Sequence, residues 1–300
     1  MKSLKYSVFA LFAAAMTCML GSCKQDLGQN PPFDYPQEGT SGVELPDPLY
    51  HSAFDGDLFL DGTLKGTMST YTGESPLFTT GQAGEAYQNQ DGEALILTPD
   101  ASAMETLKAL GSYSIFMWIK FDGTNTAATN LFSIGNKAVE VGELSFFIDT
   151  GNASNPSLFF FKGYMKSTGD ANQPEVWFDA GDDAKVDGLA NRWVHVGLTY
   201  DVTYDDGTNE VASSTITLYV NGGAICSREL KKSGDVPFGP LNFNEISGIC
   251  LGAFPSQVGL GSGIGWTATA TFFTGAMDEF AFYNVALTAA QANALYELSK

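Results

Sequence analysis

Histidine is almost missing from this chain, with 2 residues in 300, and cysteine is scarce at 4. His51 and His195 stand far apart, and no Cys or His group has the spacing of zinc ligands, so a zinc centre is excluded. Basic residues are few as well: 15 Lys and Arg face 34 Asp and Glu, for a formal net charge of -19. Nucleic-acid phosphates repel such a chain and anionic lipid gives it nothing, which leaves neutral molecules or cations as partners. There is no G-x-S-x-G elbow, H-E-x-x-H helix, phosphate loop or G-x-G-x-x-G turn. The stretch "GLGSGIG" (259–265) has only alternating glycines and reads as a loop. Internal repeats of solenoid or propeller length are absent too.

The chain begins with Lys2 and Lys5, then "YSVFALFAAAMTCML", then "LGSC" ending at Cys23. An apolar core of about 15 residues is short for a membrane span, which needs roughly 18, and with its flanks it predicts a secretory signal over residues 1–22. "LGSC" resembles the lipobox of bacterial lipoproteins, which implies a lipid on Cys23 that anchors the chain to a membrane without spanning it. Ordinary cleavage nearby is the alternative. Losing residues 1–22 removes two lysines and no acid, so the mature chain is more negative still. Residues 23–48 are polar and punctuated by prolines, as expected of a flexible tether. Residues 49–300 then form one domain. Beyond Cys18 and Cys23, only Cys226 and Cys250 remain. They form either one disulfide, contributing on the order of 3 kcal/mol, or two buried thiols.

The domain reads as short β-type runs separated by Gly, Asn and Asp. Strands are expected at 94–98, 112–122, 130–135, 144–149, 157–163, 175–180, 192–201, 214–223, 248–253 and 270–283, with hairpin turns at "DDGTN" (205–209) and "NGG" (221–223). Two short helices are expected, at 102–110 and 288–298. In the second, Thr288 followed by Gln291 makes a capping box, and Ala292, Leu295 and Tyr296 form the apolar side. The class is all-β: two antiparallel sheets packed face to face. In "SIFMWIKF", Ile115, Met117, Ile119 and Phe121 share one face while Phe116 and Trp118 occupy the other. This places the strand centrally, with the second sheet below and loops above.

The ordered segments "LYHSAFDGDLFLDGT", "ALILT", "SYSIFMWIKFD", "NRWVHVGLTYD", "TLYVNGG", "ICLGA" and "FTGAMDEFAFYNVALT" resemble the laminin G-like members of the concanavalin A-like lectin/glucanase superfamily. The resemblance covers about residues 49–298. It implies a jelly-roll sandwich and, on a lipoprotein of the Gram-negative outer membrane, a module that binds polysaccharide or another surface protein. The superfamily's hydrolases carry an E-x-D-x-x-E strand, and no such run occurs here. An enzyme is therefore not expected, and a hydrolase or lyase with an atypical site is the remaining catalytic alternative. Related sandwiches hold one structural Ca²⁺ where the first and last strands meet; the matching residues are Asp55 and Asp278.

Asp278 and Glu279 lie side by side within an expected strand. Simple alternation puts Asp278 with Phe280 and Phe282, and Glu279 with Met277, Ala281 and Tyr283. Facing opposite ways, the two acids cannot flank one glycosidic bond. Asp278 is expected to tie the last strand to the first, either through calcium or by accepting backbone N–H bonds. For sugar binding the candidates are Trp266, emerging from the glycine-rich loop, and Trp177, with Tyr164 and Tyr71 assisting. Trp118 and Trp193 are expected to pack in the core, and His195 to make a fixed hydrogen bond within the sheet.

Overall fold

The structure, a computed structural model, describes residues 42–122, 127–149, 155, 157–170, 175–232 and 234–300. The expected signal segment, the lipid site at Cys23 and the tether before residue 42 lie outside these residues. No helix among the described residues is long and apolar enough to cross a membrane.

Two antiparallel sheets of 8 strands each make a β-sandwich. The first runs β14 (Gly223–Glu229), β13 (Val211–Val220), β12 (Val194–Tyr204), β6 (Tyr113–Phe121), β16 (Gly275–Tyr283), β4 (Glu85–Asn89), β3 (Phe78–Thr80), and β1 (Tyr50–Ser52) also pairs with β16. The second runs β10 (Val176–Phe178), β9 (Phe159–Met165), β8 (Val139–Asp149), β7 (Thr129–Asn136), β15 (Gly248–Leu251), β5 (Leu95–Pro99), β2 (Gly66–Thr70), with β11 (Lys185–Val186) on β9. Two helices, α1 (Ala101–Lys108) and α2 (Ala289–Leu298), complete the fold.

The expected strands are all present, with shifted ends. The last begins at Gly275 rather than at 270, because 270–274 belong to a loop lying on the second sheet. Strands β1 to β4, β11 and β14 were not expected as separate strands, since they are short, polar or broken by glycine. At 221–222 a two-residue turn joins β13 to β14, with φ of +49° at Asn221 and +76° at Gly222. Positive φ at both positions matches the twist of the strands. The capping box of α2 is formed as expected: the Thr288 hydroxyl accepts from the Gln291 N–H and the Gln291 side chain accepts from the Thr288 N–H.

Between the sheets lies one continuous core that includes Ile115, Met117, Ile119 and Phe121 from β6. The outer faces are covered as well, by different means. On the first sheet, Phe116, Tyr219, Ala281 and Tyr283 pack beneath Ala292 and Leu295, so the cover is helix α2 and not loops as expected. The Trp118 indole N–H donates to the Ser299 hydroxyl at 2.8 Å, while Tyr296 packs on the Trp118 ring at 5.4 Å. On the second sheet the cover is the 252–274 loop. Its Phe254 and Ala270 pack on Phe147 and Tyr164, and its Val258, Leu260 and Phe272 pack near Ile96 and Cys250. Cys226 and Cys250 are both buried and both free, and they lie in different sheets.

The expectation for His195 is corrected. Its ring is stacked with Phe116 at 5.5 Å and packed against Trp118 at 5.2 Å and Tyr296 at 5.9 Å, and its Nδ1 has no hydrogen-bond partner. Burial pushes its pKa down to about 3, so it is a neutral aromatic filler under α2. Trp193 sits at the mouth of β12 and is only partly buried.

This outer layer is packed without slack at Gly197, where an added Cβ would run into the Phe116 ring. Gly197→Ala is expected to cost about 1–3 kcal/mol by overpacking. A thermal melt checks this, and an unchanged midpoint would remove Phe116 as the constraint on that position.

Candidate functional site

The second sheet's outer face carries an aromatic cluster near its β10 edge. Trp177 of β10 pairs in register with Tyr164 of β9, and their rings meet edge to face at 4.7 Å. Trp266, in a short 3-10 turn (Trp266–Thr269) of the covering loop, arrives from the other side. Its ring lies 5.5 Å from Trp177, 5.9 Å from Phe147 and 5.5 Å from Phe254. Phe147 and Tyr164 are buried beneath, while Trp177 and Trp266 are 40% and 45% exposed. The fold therefore brings together three of the four expected aromatic residues. Tyr164 is the support and not the contact surface, being 2% exposed. Trp266 is not free-standing: its ring meets Phe147 and Phe254 edge to face.

The fourth, Tyr71, stacks on Phe272 at 6.3 Å instead. Its neighbours Thr70 and Thr72 line a cleft of about 500 Å³ between the 70–77 and 87–93 segments, together with Glu74, Leu77, Tyr87 and Gln90 among others. The Glu93 carboxylate holds the two loops together, accepting from the Tyr71, Thr72 and Ala94 N–H groups.

Glu140, which sequence reasoning missed, fixes Trp266 in place. Its Oε1 accepts from the Gly265 N–H, the Thr267 N–H and the Thr267 hydroxyl, each at 2.7 Å. Burial pushes its pKa up, but the donors from Thr267, Gly265 and Trp266 outweigh that and hold it below the ordinary value. Such a carboxylate is a charged hydrogen-bond anchor. On the opposite side the Tyr164 hydroxyl donates to Glu175 Oε2 at 3.2 Å. Burial, then the charges of Glu175, Glu143 and Glu140, push the Tyr164 pKa far up and keep it a proton donor. Lys162, the nearest cation along β9, is engaged by Asp149 Oδ2 at 2.6 Å and Asp179 Oδ2 at 3.1 Å. Nothing in the sequence marks Glu140 beyond its place at the start of a strand.

The paired acids of β16 lie elsewhere, and the alternation expected for them is corrected. A bulge between Asp278 and Ala281, with φ of +48° at Glu279, inserts an extra residue. Met277, Phe280 and Phe282 all enter the main core, while Asp278 pairs with Trp118 on the outer side. Asp278 Oδ2 accepts from the Gln82 N–H at 2.7 Å and the Ala83 N–H at 3.0 Å. Asp55 Oδ1 accepts from the Glu85 N–H at 2.8 Å. Both candidate calcium residues thus grip the β3–β4 turn. Contact with the first strand belongs to Glu279, whose Oε2 lies 3.0 Å from His51 Nε2. Asp278 was expected to make that tie.

A jelly-roll sandwich with two exposed tryptophans on a rigid sheet face is the class that fold and surface define. Residues 90–293 match the Laminin_G_3 family, described as the Concanavalin A-like lectin/glucanases superfamily, and the chain belongs to it. No curated protein sequence matches the chain. Among solved structures, domain 4 of AbnA, a GH43 extracellular arabinanase from Geobacillus stearothermophilus in complex with arabinotriose, aligns with TM-score 0.51 and 18% identity over 83% of this chain and 98% of that one. The botulinum neurotoxin serotype C1 binding domain aligns with TM-score 0.50 and 12% identity over 85% of this chain. The binding domain of botulinum neurotoxin DC in complex with SialylT gives the same values. This chain spans about half of each neurotoxin domain, at 52% coverage. At these identities the likeness is one of fold.

Burial, with a smaller contribution from the Glu279 charge, pushes the Asp278 pKa up from 3.8 to about 7 against the Ala83 and Gln82 donors. Its contribution to stability is complete below the ordinary value of 3.8 and is lost as pH rises through about 7. Asp278→Asn keeps an acceptor for the turn and is expected to flatten the fall in melting temperature between those limits. Asp278→Ala, which orphans both N–H groups, is expected to cost about 1–3 kcal/mol at any pH. Parallel pH profiles for wild type and Asp278→Asn would show that Asp278 does not titrate there.

Proposed function

We propose that this protein is a non-catalytic, lectin-like glycan-binding protein of the cell envelope, lipid-anchored through Cys23 and capturing polysaccharide at the Trp177–Trp266 surface. The observation that carries the reading is the pair itself. Two large rings stand about half exposed, 5.5 Å apart, on a buried base of Phe147, Tyr164 and Phe254. Sugars bind with their C–H faces on aromatic rings, and rings already locked by packing lose little entropy on binding. That domain 4 of AbnA, which this chain covers almost completely, is seen in complex with arabinotriose is consistent with glycan binding on such a scaffold. The basic, apolar and "LGSC" segments at the chain start support the envelope location.

Affinity electrophoresis through gels containing plant, fungal and host polysaccharides tests the reading. At least one polysaccharide is expected to retard the protein, and Trp177→Ala or Trp266→Ala is expected to weaken retention by roughly tenfold, as for loss of a central aromatic anchor. Retention that both variants leave unchanged would move the site elsewhere.

A structural calcium ion belongs to the same reading. Asp278 offers a buried Oδ1 without a hydrogen-bond partner, and Asp55 offers a second carboxylate against the same turn. No three His, Cys, Asp or Glu side chains converge among the described residues, so backbone carbonyls would have to complete the shell. Calcium is expected to raise the melting temperature at neutral pH in wild type and not in Asp278→Asn. Equal melting in calcium and in chelator would remove the ion from the account.

A further inference from the structure

The shape and charge of the aromatic surface restrict which glycan it suits. A flat sugar face stacks on a single ring or on coplanar rings. Trp177 and Trp266 instead meet at 66°, as the two walls of a corner, with the Tyr164 ring a further 64° from Trp177. Such a corner encloses a compact group. Its electrostatics are one-sided. The carboxylates of Glu140 and Glu175 flank it, one bonded to the Trp266 turn and the other to the Tyr164 hydroxyl. Glu143 also acts on Tyr164, and Asp149 and Asp179 lie next along the same strands. Against these five acids stand three cations. Lys162 is already held by Asp149 and Asp179, Lys185 beside Asp179 is held by Asp182, and Lys166 lies beside Glu143. Indole faces attract cations through their π-electrons, and nearby carboxylates add to that attraction.

We propose that the Trp177–Trp266 corner takes a glycan bearing a protonated amine, such as a de-N-acetylated hexosamine, with the ammonium in the open angle where the indoles meet and facing Glu175. This rests on the glycan-binding reading and narrows it. The same charges disfavour uronic-acid and sulfated glycans, and the net charge of -19 acts in the same direction at long range.

The test compares a glucosamine hexamer, an N-acetylglucosamine hexamer and hexalysine, each titrated by calorimetry into the full chain in detergent at pH 6 and physiological salt. The glucosamine hexamer is expected to bind about fivefold tighter than its N-acetylated form, the scale of one exposed cation–π contact. Glu175→Gln, at an exposed position, is expected to remove most of that preference, and Trp177→Ala to abolish binding of both sugars. Equal or tighter binding of the N-acetylated hexamer would overturn the amine while leaving the glycan reading standing, provided Trp177→Ala still abolishes it. Hexalysine binding as tightly as the glucosamine hexamer would also overturn the proposal, since charge alone would then explain the affinity. So would binding of neither sugar, whereas the glycan reading itself is decided by the polysaccharide gels.

Discussion

The extra residue in β16 is the constraint on which most of the first sheet depends. This strand is flanked by β6 on one side and by β4 and β1 on the other, so any change in its parity is felt by three neighbours. Without the bulge, Met277 and Phe280 would face opposite sides of the sheet. With it, both join Phe282 in the core, while Ala281 and Tyr283 turn outward to receive α2. The positive φ at Glu279 also turns its carboxylate toward His51, tying β1 to the sheet. One irregular residue thus serves the core, the helix and the first strand together. Asp278, just before it, fastens the β3–β4 turn. The tight fit of that turn shows at Gly81 and Gly84, where an added Cβ would strike the Asp278 and Asp55 carboxylates.

The extent to which the chain could be read in advance follows from the range of the interactions involved. Strand β6 announces itself because both faces are largely apolar over nine residues, and β12 because Val194, Val196, Leu198, Tyr200 and Val202 alternate along it. The α2 cap was legible because Thr288 and Gln291 are near neighbours in sequence. The bulge was not legible, since "AMDEFAFY" alternates acceptably in either register and only the partners across the strand decide. For His195 the strand was recognised and the environment was not. Its neighbours come from β6 and α2, and an imidazole packed among rings has the same sequence signature as one that is hydrogen-bonded. Trp177 and Trp266 were each visible as tryptophans near loops. Their meeting depends on β10 pairing at the sheet edge and on the path of the 252–274 loop, which no local pattern encodes.

The two outer faces solve the same problem with opposite consequences. Each sheet has apolar side chains on both sides, so each needs cover. A helix lying along the first sheet seals Phe116, Trp118 and His195 almost completely; Trp118 is 3% exposed. A long loop on the second sheet follows an irregular path and, at its Trp266 turn, stops short of the β10 edge. What it leaves uncovered is the pair of indoles, held from below by Phe147 and from the side by Glu140. Rigidity and exposure normally oppose each other in loops. Here three 2.7 Å hydrogen bonds to one ionised carboxylate and the aromatic base give the loop turn the fixity of a strand.

That fixity is what makes the surface suited to recognition. A side chain that must be ordered on binding costs about 0.5–1.5 kcal/mol, and two floppy tryptophans would surrender much of what stacking returns. Trp177 is ordered by register pairing with Tyr164, and Trp266 by Glu140 and Phe254, before any ligand arrives. Glu140 is therefore a positioning residue: its bonded oxygen faces the Gly265 and Thr267 N–H groups of the loop. Glu175 differs, because its bond to the Tyr164 hydroxyl engages one oxygen and leaves the carboxylate at an exposed position. Two acids beside one aromatic corner are thus held differently, one bonded into the loop that fixes the rings and the other left at the surface beside them.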